Sequence, residues 1–271
     1  MPSALVGVMS MTELKKLGVI GGVGPLATAR LFRRVVELTD AHCDQEHLDV
    51  TVLNRPQIPD RSAYLLGQPG ARSFVEPMQQ AARELEAAGC EVVATPCNTA
   101  HAREAAIASA LTRARFVSMV GEVVRLLAYV SARRVGVLAT DGTVHAGVYG
   151  YALASCGIEV AYPDAKGQRE VVRVIYEEAK ARSSVQAGCL DELFRAFAQA
   201  GCDAVVLGCT ELSLVDAPLS YRGMVTVDAL DVLAAACVRA SGAQVRKGEV
   251  ERSFDGRLAQ ALLQLQDEGG E

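Results

Sequence analysis

Ala88-Gly89-Cys90-Glu91-Val92-Val93-Ala94-Thr95-Pro96-Cys97-Asn98-Thr99-Ala100-His101 decides the fold, because the chain contains it twice. Downstream stands Ala200-Gly201-Cys202-Asp203-Ala204-Val205-Val206-Leu207-Gly208-Cys209-Thr210-Glu211. Aligned on Cys97 and Cys209, the copies match Gly89 with Gly201, Cys90 with Cys202, Glu91 with Asp203 and Val93 with Val205. Each copy predicts a helix ending in Gly, an acidic turn, a buried apolar strand and a cysteine at the strand's exit. Pro96 has no N–H for a ladder, so the first strand ends near Thr95. Asn98, Thr99 and Thr210 are N-cap types, so a helix follows each cysteine. Both cysteines then lie between a strand's carboxyl end and a helix's amino end. Open α/β sheets bind ligands there, and backbone N–H groups favour a thiolate there.

The rest of the chain alternates in the same way. Lys16 to Gly22 predicts a strand running into a glycine turn, and Leu26 to Leu38 a helix with Pro25 at its first position. Asp49 to Asn54 is a strand, followed by a stiff loop, Asn54-Arg55-Pro56-Gln57-Ile58-Pro59-Asp60-Arg61, whose two prolines forbid regular structure. A helix over Ser73–Ala88, a strand Phe116–Val120 and a helix Glu122–Tyr129 complete the first half. Arg134 to Thr140 opens a second copy of the pattern, with a helix over Val144–Ser155, a strand Ile158–Ala161 and helices over Gln168–Ala181 and Cys189–Ala200. Met224–Asp228 is a last strand and Ala229–Ala240 a last core helix. Near-continuous Val/Ile/Leu strands alternating with helices predict parallel sheets covered on both faces. The fold expected is α/β: two pseudo-symmetric three-layer α/β domains, with the active site in the inter-domain cleft. The first takes residues 12–118 plus 225–245, the second takes 119–224, and 246–271 form a polar C-terminal extension. Met1 to Thr12 reads as a loose leader, and Met9 and Met11 leave the start open.

Composition excludes several functions. The chain has 271 residues, half of them apolar, a net charge of −5, 5% aromatics and no Trp. Neither a nucleic-acid surface nor an anionic-membrane patch is indicated. Eight cysteines occur, none in a Cys-x-x-Cys pair, so no zinc ribbon is expected. No apolar run spans a bilayer, and the thiols are expected reduced in a cytoplasmic protein. His42, His47 and His145 are isolated, and no metal site is expected. Gly22-x-Gly24-x-x-Ala27 matches a dinucleotide fingerprint, but the strand that should end in an acidic ribose ligand ends in Asn54. The glycines are read instead as letting the backbone approach a substrate.

Two facing thiols suit a reaction that removes a proton from one face of a carbon while returning one to the other. One must be a thiolate. Ionising a thiol of pKa ~8.5 at neutral pH takes on the order of 2 kcal/mol, within reach of a helix N-terminus and a nearby cation. The carbanionic charge must then meet preorganised donors, and Asn98, Thr99, Thr140, Thr143 and Thr210 are of that type. His101, about a turn beyond Cys97, could assist the thiol or pack. Glu211 could orient the second site or favour its helix N-terminus. Cys90 and Cys202 also match, but at the strands' entrance, where burial as small hydrophobes is the reading.

Five motifs carry a resemblance: Gly21-Gly22-Val23-Gly24-Pro25-Leu26-Ala27-Thr28, the Asn54–Arg61 loop, Pro96-Cys97-Asn98-Thr99-Ala100-His101, Leu138-Ala139-Thr140-Asp141-Gly142-Thr143 and Gly208-Cys209-Thr210-Glu211. In this order they closely resemble the aspartate/glutamate racemase family, its aspartate racemase branch in particular, from about Lys16 to Ala240. The resemblance implies a cofactor-independent racemase of an acidic amino acid, aspartate before glutamate, usually a homodimer. It implies Cys97 and Cys209 as the acid/bases, Arg61 and Lys180 as partners of the substrate carboxylates, and Asn98, Thr99, Thr140, Thr143 and Thr210 as substrate-binding. Gln57 lies in the loop motif as a supporting residue. Arg55 departs from the pattern, where a neutral residue is expected, and could change selectivity. Rival readings are maleate isomerase, arylmalonate decarboxylase and hydantoin racemase, which share the two-domain superfamily, or a non-catalytic acidic-amino-acid sensor.

Overall fold

Leu17–Gly21, buried at every position, is the first strand, β1, of a computed structural model that describes residues 14–181 and 185–267. The expected leader lies outside the described residues. In chain order follow α1 (Pro25–Leu38), β2 (Val50–Asn54), α2 (Arg61–Leu65), α3 (Val75–Ala87), β3 (Val92–Ala94), α4 (Glu104–Ala108) and β4 (Arg115–Val117). The first sheet runs β2-β1-β3-β4, all parallel, with Leu17 opposite both Val50 and Val92. The second half holds α5 (Met119–Tyr129), β5 (Arg134–Leu138), α6 (Asp141–His145), α7 (Val148–Ala154), β6 (Glu159–Ala161), α8 (Ala165–Arg173), a π-helical turn (Val174–Lys180), α9 (Asp191–Gln199), β7 (Ala204–Leu207), β8 (Ser220–Tyr221), β9 (Met224–Asp228) and α10 (Ala229–Ala240). Its sheet runs β6-β5-β7-β9-β8, parallel except for the short β8 at the edge.

The two orders coincide when β1 is set on β5, β2 on β6, β3 on β7 and β4 on β9. Met224–Asp228, expected in the first domain, instead pairs with β7, Ala204 opposite Val225, and fills in the second sheet the place β4 fills in the first. The chain crosses back one element later, where α10 packs on α1. The helix after the first sheet crosses the other way, α5 packing on α7 and on α10. It starts earlier than expected, because the Ser118 hydroxyl accepts from the Gly121 N–H and caps it directly after β4. Val19, Val137, Val225 and Leu233 share one core that joins the two sheets, while smaller clusters sit under α3 and under α8–α9.

Glycines fix the repeat. Gly89 and Gly201 both take left-handed φ, 84° and 75°, just past α3 and α9, where a side chain would strain the backbone. Gly22 has φ 87°, and a Cβ there would lie 2.3 Å from the Arg55 nitrogen. The chain's own Asn54–Pro56 segment crosses over it, and Gly22 and Gly24 also line the cavity described below.

The C-terminal extension departs from expectation. α11 (Lys247–Ser253) and α12 (Gly256–Asp267) bury Val250, Phe254, Leu258, Ala261, Leu262 and Leu265 in the shared core, against α1 and α5. The segment's polar residues form the outer face of an amphipathic pair. Arg34 of α1 locks it on. The Arg34 side chain is 9% exposed, and it donates to Asp231 at 2.9 Å, Glu249 at 2.8 Å, Glu37 at 2.5 Å and Ser253 at 2.7 Å. Among the described residues no helix is long and apolar enough to cross a membrane.

Candidate active site

Each cysteine emerges from a buried strand and turns at once into a 3₁₀ helix, Asn98–Arg103 after Cys97 and Thr210–Leu214 after Cys209. Both cysteines are buried. The two turns touch: the Thr210 hydroxyl donates to the Pro96 carbonyl at 3.2 Å, joining the residue before one cysteine to the residue after the other. A cavity of ≈ 370 Å³ opens next to the turn after Cys209, lined by Gly24, Arg30, Arg61, Lys180, Thr210 and Glu211 among others, while Cys97, Cys209, Asn98, Thr99, Thr140 and Thr143 are not among its lining residues.

The two thiols differ in their neighbours. The Cys209 thiol donates to Glu211 Oε2 at 3.0 Å. Burial, and then the adjacent Glu211 carboxylate, push its pKa well up, so Cys209 is a thiol at neutral pH. Cys97 instead has the Arg61 guanidinium beside its sulfur. Burial works against the Arg61 charge, yet the neighbouring Cys97, with Asp60 and Glu211, outweighs it and raises the arginine's pKa. Arg61 is held by carbonyls, donating to Ile58 and Pro59 from Nη1 and to Val23 from Nη2, while its Nε is buried without a hydrogen-bond partner among the described residues. Asp60 starts this arrangement, its carboxylate capping α2 through the Ala63 N–H at 2.7 Å.

Lys180 ends the π-helical turn, 3.8 Å from Glu211 Oε1 and 4.4 Å above the Tyr176 ring. Burial opposes its charge, but Glu211, Cys209 and, more distantly, Cys97 raise its pKa. One ammonium thus feels both cysteines.

Thr99, Thr140 and Thr143 form a closed triangle of hydroxyls, with Oγ1 separations of 3.1, 2.9 and 3.0 Å. Thr99 comes from the first half and the other two from the second. Ser62 donates to Thr140 at 3.2 Å from the Pro-rich loop side. Asn98 Oδ1 accepts from the buried Tyr149 hydroxyl, and the Asn98 amide nitrogen is buried with no hydrogen-bond partner among the described residues. Such an orphan donor is what a site for developing negative charge requires.

Several expected residues stand elsewhere. His101 does not reach the thiol: its Nδ1 meets the Cys97 carbonyl at 2.8 Å, and its Nε2 accepts from the Met119 N–H at 3.0 Å. Burial lowers its pKa, and the accepting Nε2 fixes the neutral Nδ1–H tautomer. It holds the Cys97 turn to the start of α5. Gln57 is exposed and does not line the cavity. Arg55 turns away to pair with Glu84 on α3, so its departure from the motif falls outside the cleft. Cys90 and Cys202 are buried at the strands' entrance. Among the described residues no group of three or more His, Cys, Asp or Glu is arranged to hold a metal.

Sequence reasoning missed Tyr149, Ser62, Tyr176 and Arg30. Tyr176 alone had a signal, standing four residues before Lys180 on one helical face.

The fold has counterparts. An aspartate racemase of Picrophilus torridus superposes with a TM-score of 0.73 at 26% identity, covering 87% of this chain and 97% of that one. The glutamate racemase of Francisella tularensis, solved with D-glutamate, gives 0.57 at 15% identity over 93% and 94%, a likeness of fold. An uncharacterized protein of Pectobacterium carotovorum, from the pnlA 3' region, is 31% identical over 103 residues, 38% of this chain and 69% of that protein. The model of the Asp/Glu/Hydantoin racemase family matches residues 20–240, and the chain belongs to that family.

Proposed function

We propose that the protein racemises an acidic amino acid, aspartate first and glutamate second, by a two-base mechanism run by Cys97 and Cys209. The observation that carries this reading is the asymmetry of two buried, adjoining cysteine turns: one sulfur beside a guanidinium, the other a thiol bonded to a carboxylate. In one direction the Cys97 thiolate, paired with Arg61, removes the α-proton. The Cys209 thiol delivers its proton to the opposite face. The products are the enantiomer, a Cys97 thiol and a Cys209 thiolate, which Lys180 then faces; the opposite enantiomer runs the same steps in reverse. The α-proton of an amino acid is weakly acidic, so the charge must be met by fixed donors. The unpartnered Asn98 amide and the threonine hydroxyls supply them in a site shielded from water. Arg61, through its free Nε, and Lys180 hold carboxylates, and Glu211 draws the substrate ammonium. The steps use side chains alone, with no cofactor. The resemblance further implies a homodimer.

The test is α-hydrogen exchange in D₂O with both enantiomers of aspartate and glutamate, followed by NMR and chiral chromatography. Expected is deuterium incorporation with inversion, lost in both Cys97→Ser and Cys209→Ser. A folded, reduced protein that exchanges none of the four refutes the reading. Maleate turnover through a covalent cysteine adduct would replace it with an isomerase.

A further inference from the structure

Three cations line the cleft, and the racemase mechanism uses two. The third, Arg30, projects from α1 into the same cavity as Arg61 and Lys180. Its engagement differs from theirs. Lys180 faces Glu211, and Arg61 directs both terminal nitrogens to backbone carbonyls. Arg30 reaches Asp228 at 3.7 Å and Asp231 at 3.9 Å, too far for a hydrogen bond to either. The other contacts of these carboxylates fix where they stand behind Arg30. Asp228 Oδ1 accepts from the Ser213 hydroxyl at 2.8 Å and from the Leu230 N–H at 2.9 Å. Asp231 Oδ1 accepts from Arg34 Nε at 2.9 Å. Meanwhile Arg30 Nε is buried with no hydrogen-bond partner among the described residues.

A guanidinium held in place by charge, with a buried donor unpaired and a cavity before it, is built to bind a planar anion. The cavity also suits a third contact. Its ≈ 370 Å³ falls within the range, about 300–1,000 Å³, of pockets that enclose ligands larger than a four-carbon amino acid. We propose that Arg30 binds the side-chain carboxylate of the substrate, and so sets the enzyme's preference for acidic over neutral amino acids. Arg61 and Lys180 keep the carboxylate-holding roles given above, and Arg30 adds a further charged contact at the side-chain end of the substrate. Asp228 and Asp231 position Arg30 from behind.

This inference rests on the racemase reading, and the experiment separates the two. Wild type, Arg30→Gln and Arg30→Lys are assayed by α-hydrogen exchange with aspartate, glutamate, asparagine and glutamine, with thermal unfolding of each as a control. Losing a charge-assisted contact predicts KM for the acidic substrates up at least about tenfold in Arg30→Gln, with kcat changed less than about threefold. Discrimination against the amides should collapse by a similar factor, and Arg30→Lys should restore part of it. A purely structural role would lower Tm and leave the acid-to-amide ratio untouched, and that result overturns the proposal. If wild type exchanges no amino acid, the racemase reading itself fails. If wild type is active and Arg30→Gln keeps its selectivity, only the Arg30 assignment fails.

Discussion

At the residue scale the chain's behaviour rests on where its cysteines are buried. Cys209 ionises reluctantly because it is buried against a carboxylate, and Cys237, enclosed by α10's neighbours, has its pKa pushed by burial up to about 12, with Glu122 adding to the effect. The consequence for stability has a definite sign. Above about pH 8.5 an unfolded chain releases these thiol protons while the folded one keeps them, so the unfolded state binds fewer protons. Stability is therefore full below that pH and falls as pH rises toward 12, with Cys237 contributing up to about 1.4 kcal/mol per pH unit. Urea midpoints measured at pH 8 and pH 10 should drop accordingly, and Cys237→Ala should flatten the difference. An unchanged midpoint in wild type would show that burial does not hold the thiol protonated.

At the scale of elements, the turns that present the site are set by single residues. Gly22 carries β1 into α1 beneath the Asn54–Pro56 backbone, with left-handed φ and no room for a methyl group. Gly22→Ala is expected to cost roughly 2–4 kcal/mol from backbone strain and overpacking together. It should also raise KM, because the displaced loop leads directly into Arg61. Calorimetry beside substrate kinetics checks both, and a neutral substitution would mean that the crossing is loose. Much of this level is legible in the sequence. The repeated Gly-Cys-acid-strand-Cys pattern predicts both cysteine turns, and apolar runs predict parallel strands. Pairing partners are less legible, since Met224–Asp228 looks the same whether it joins one sheet or the other; register against Ala204–Leu207 decides it. Arg30 and Tyr149 lie outside any local motif. Arg30 reaches the cavity, and Tyr149 reaches Asn98, only through the tertiary placement of α1 and α7.

At the scale of the molecule, the extension beyond Ala243 completes the core rather than trailing from it. Arg34 is the joint, buried among Asp231, Glu37 and Glu249, and though burial opposes its charge, those carboxylates raise its pKa. Removing one partner of a buried charge network costs about 3–5 kcal/mol. Truncation after Gln244 takes away Glu249 and Ser253 as well as the apolar stripe of α12. The truncated chain should therefore be destabilised throughout, with solubility and Tm both reduced. Retention of the full-length Tm would show that α11 and α12 are ornamental. The halves are also stitched across the cleft by the Thr99, Thr140 and Thr143 hydroxyls. Thr140 Oγ1 also accepts from Ser62 and from the Thr143 N–H, so within the triangle it donates, while the Thr99 and Thr143 protons can reorient with no heavy atom moving. The seam between the halves thus has one hydroxyl anchored from both sides of the chain and two that adapt to it by rotating their O–H bonds.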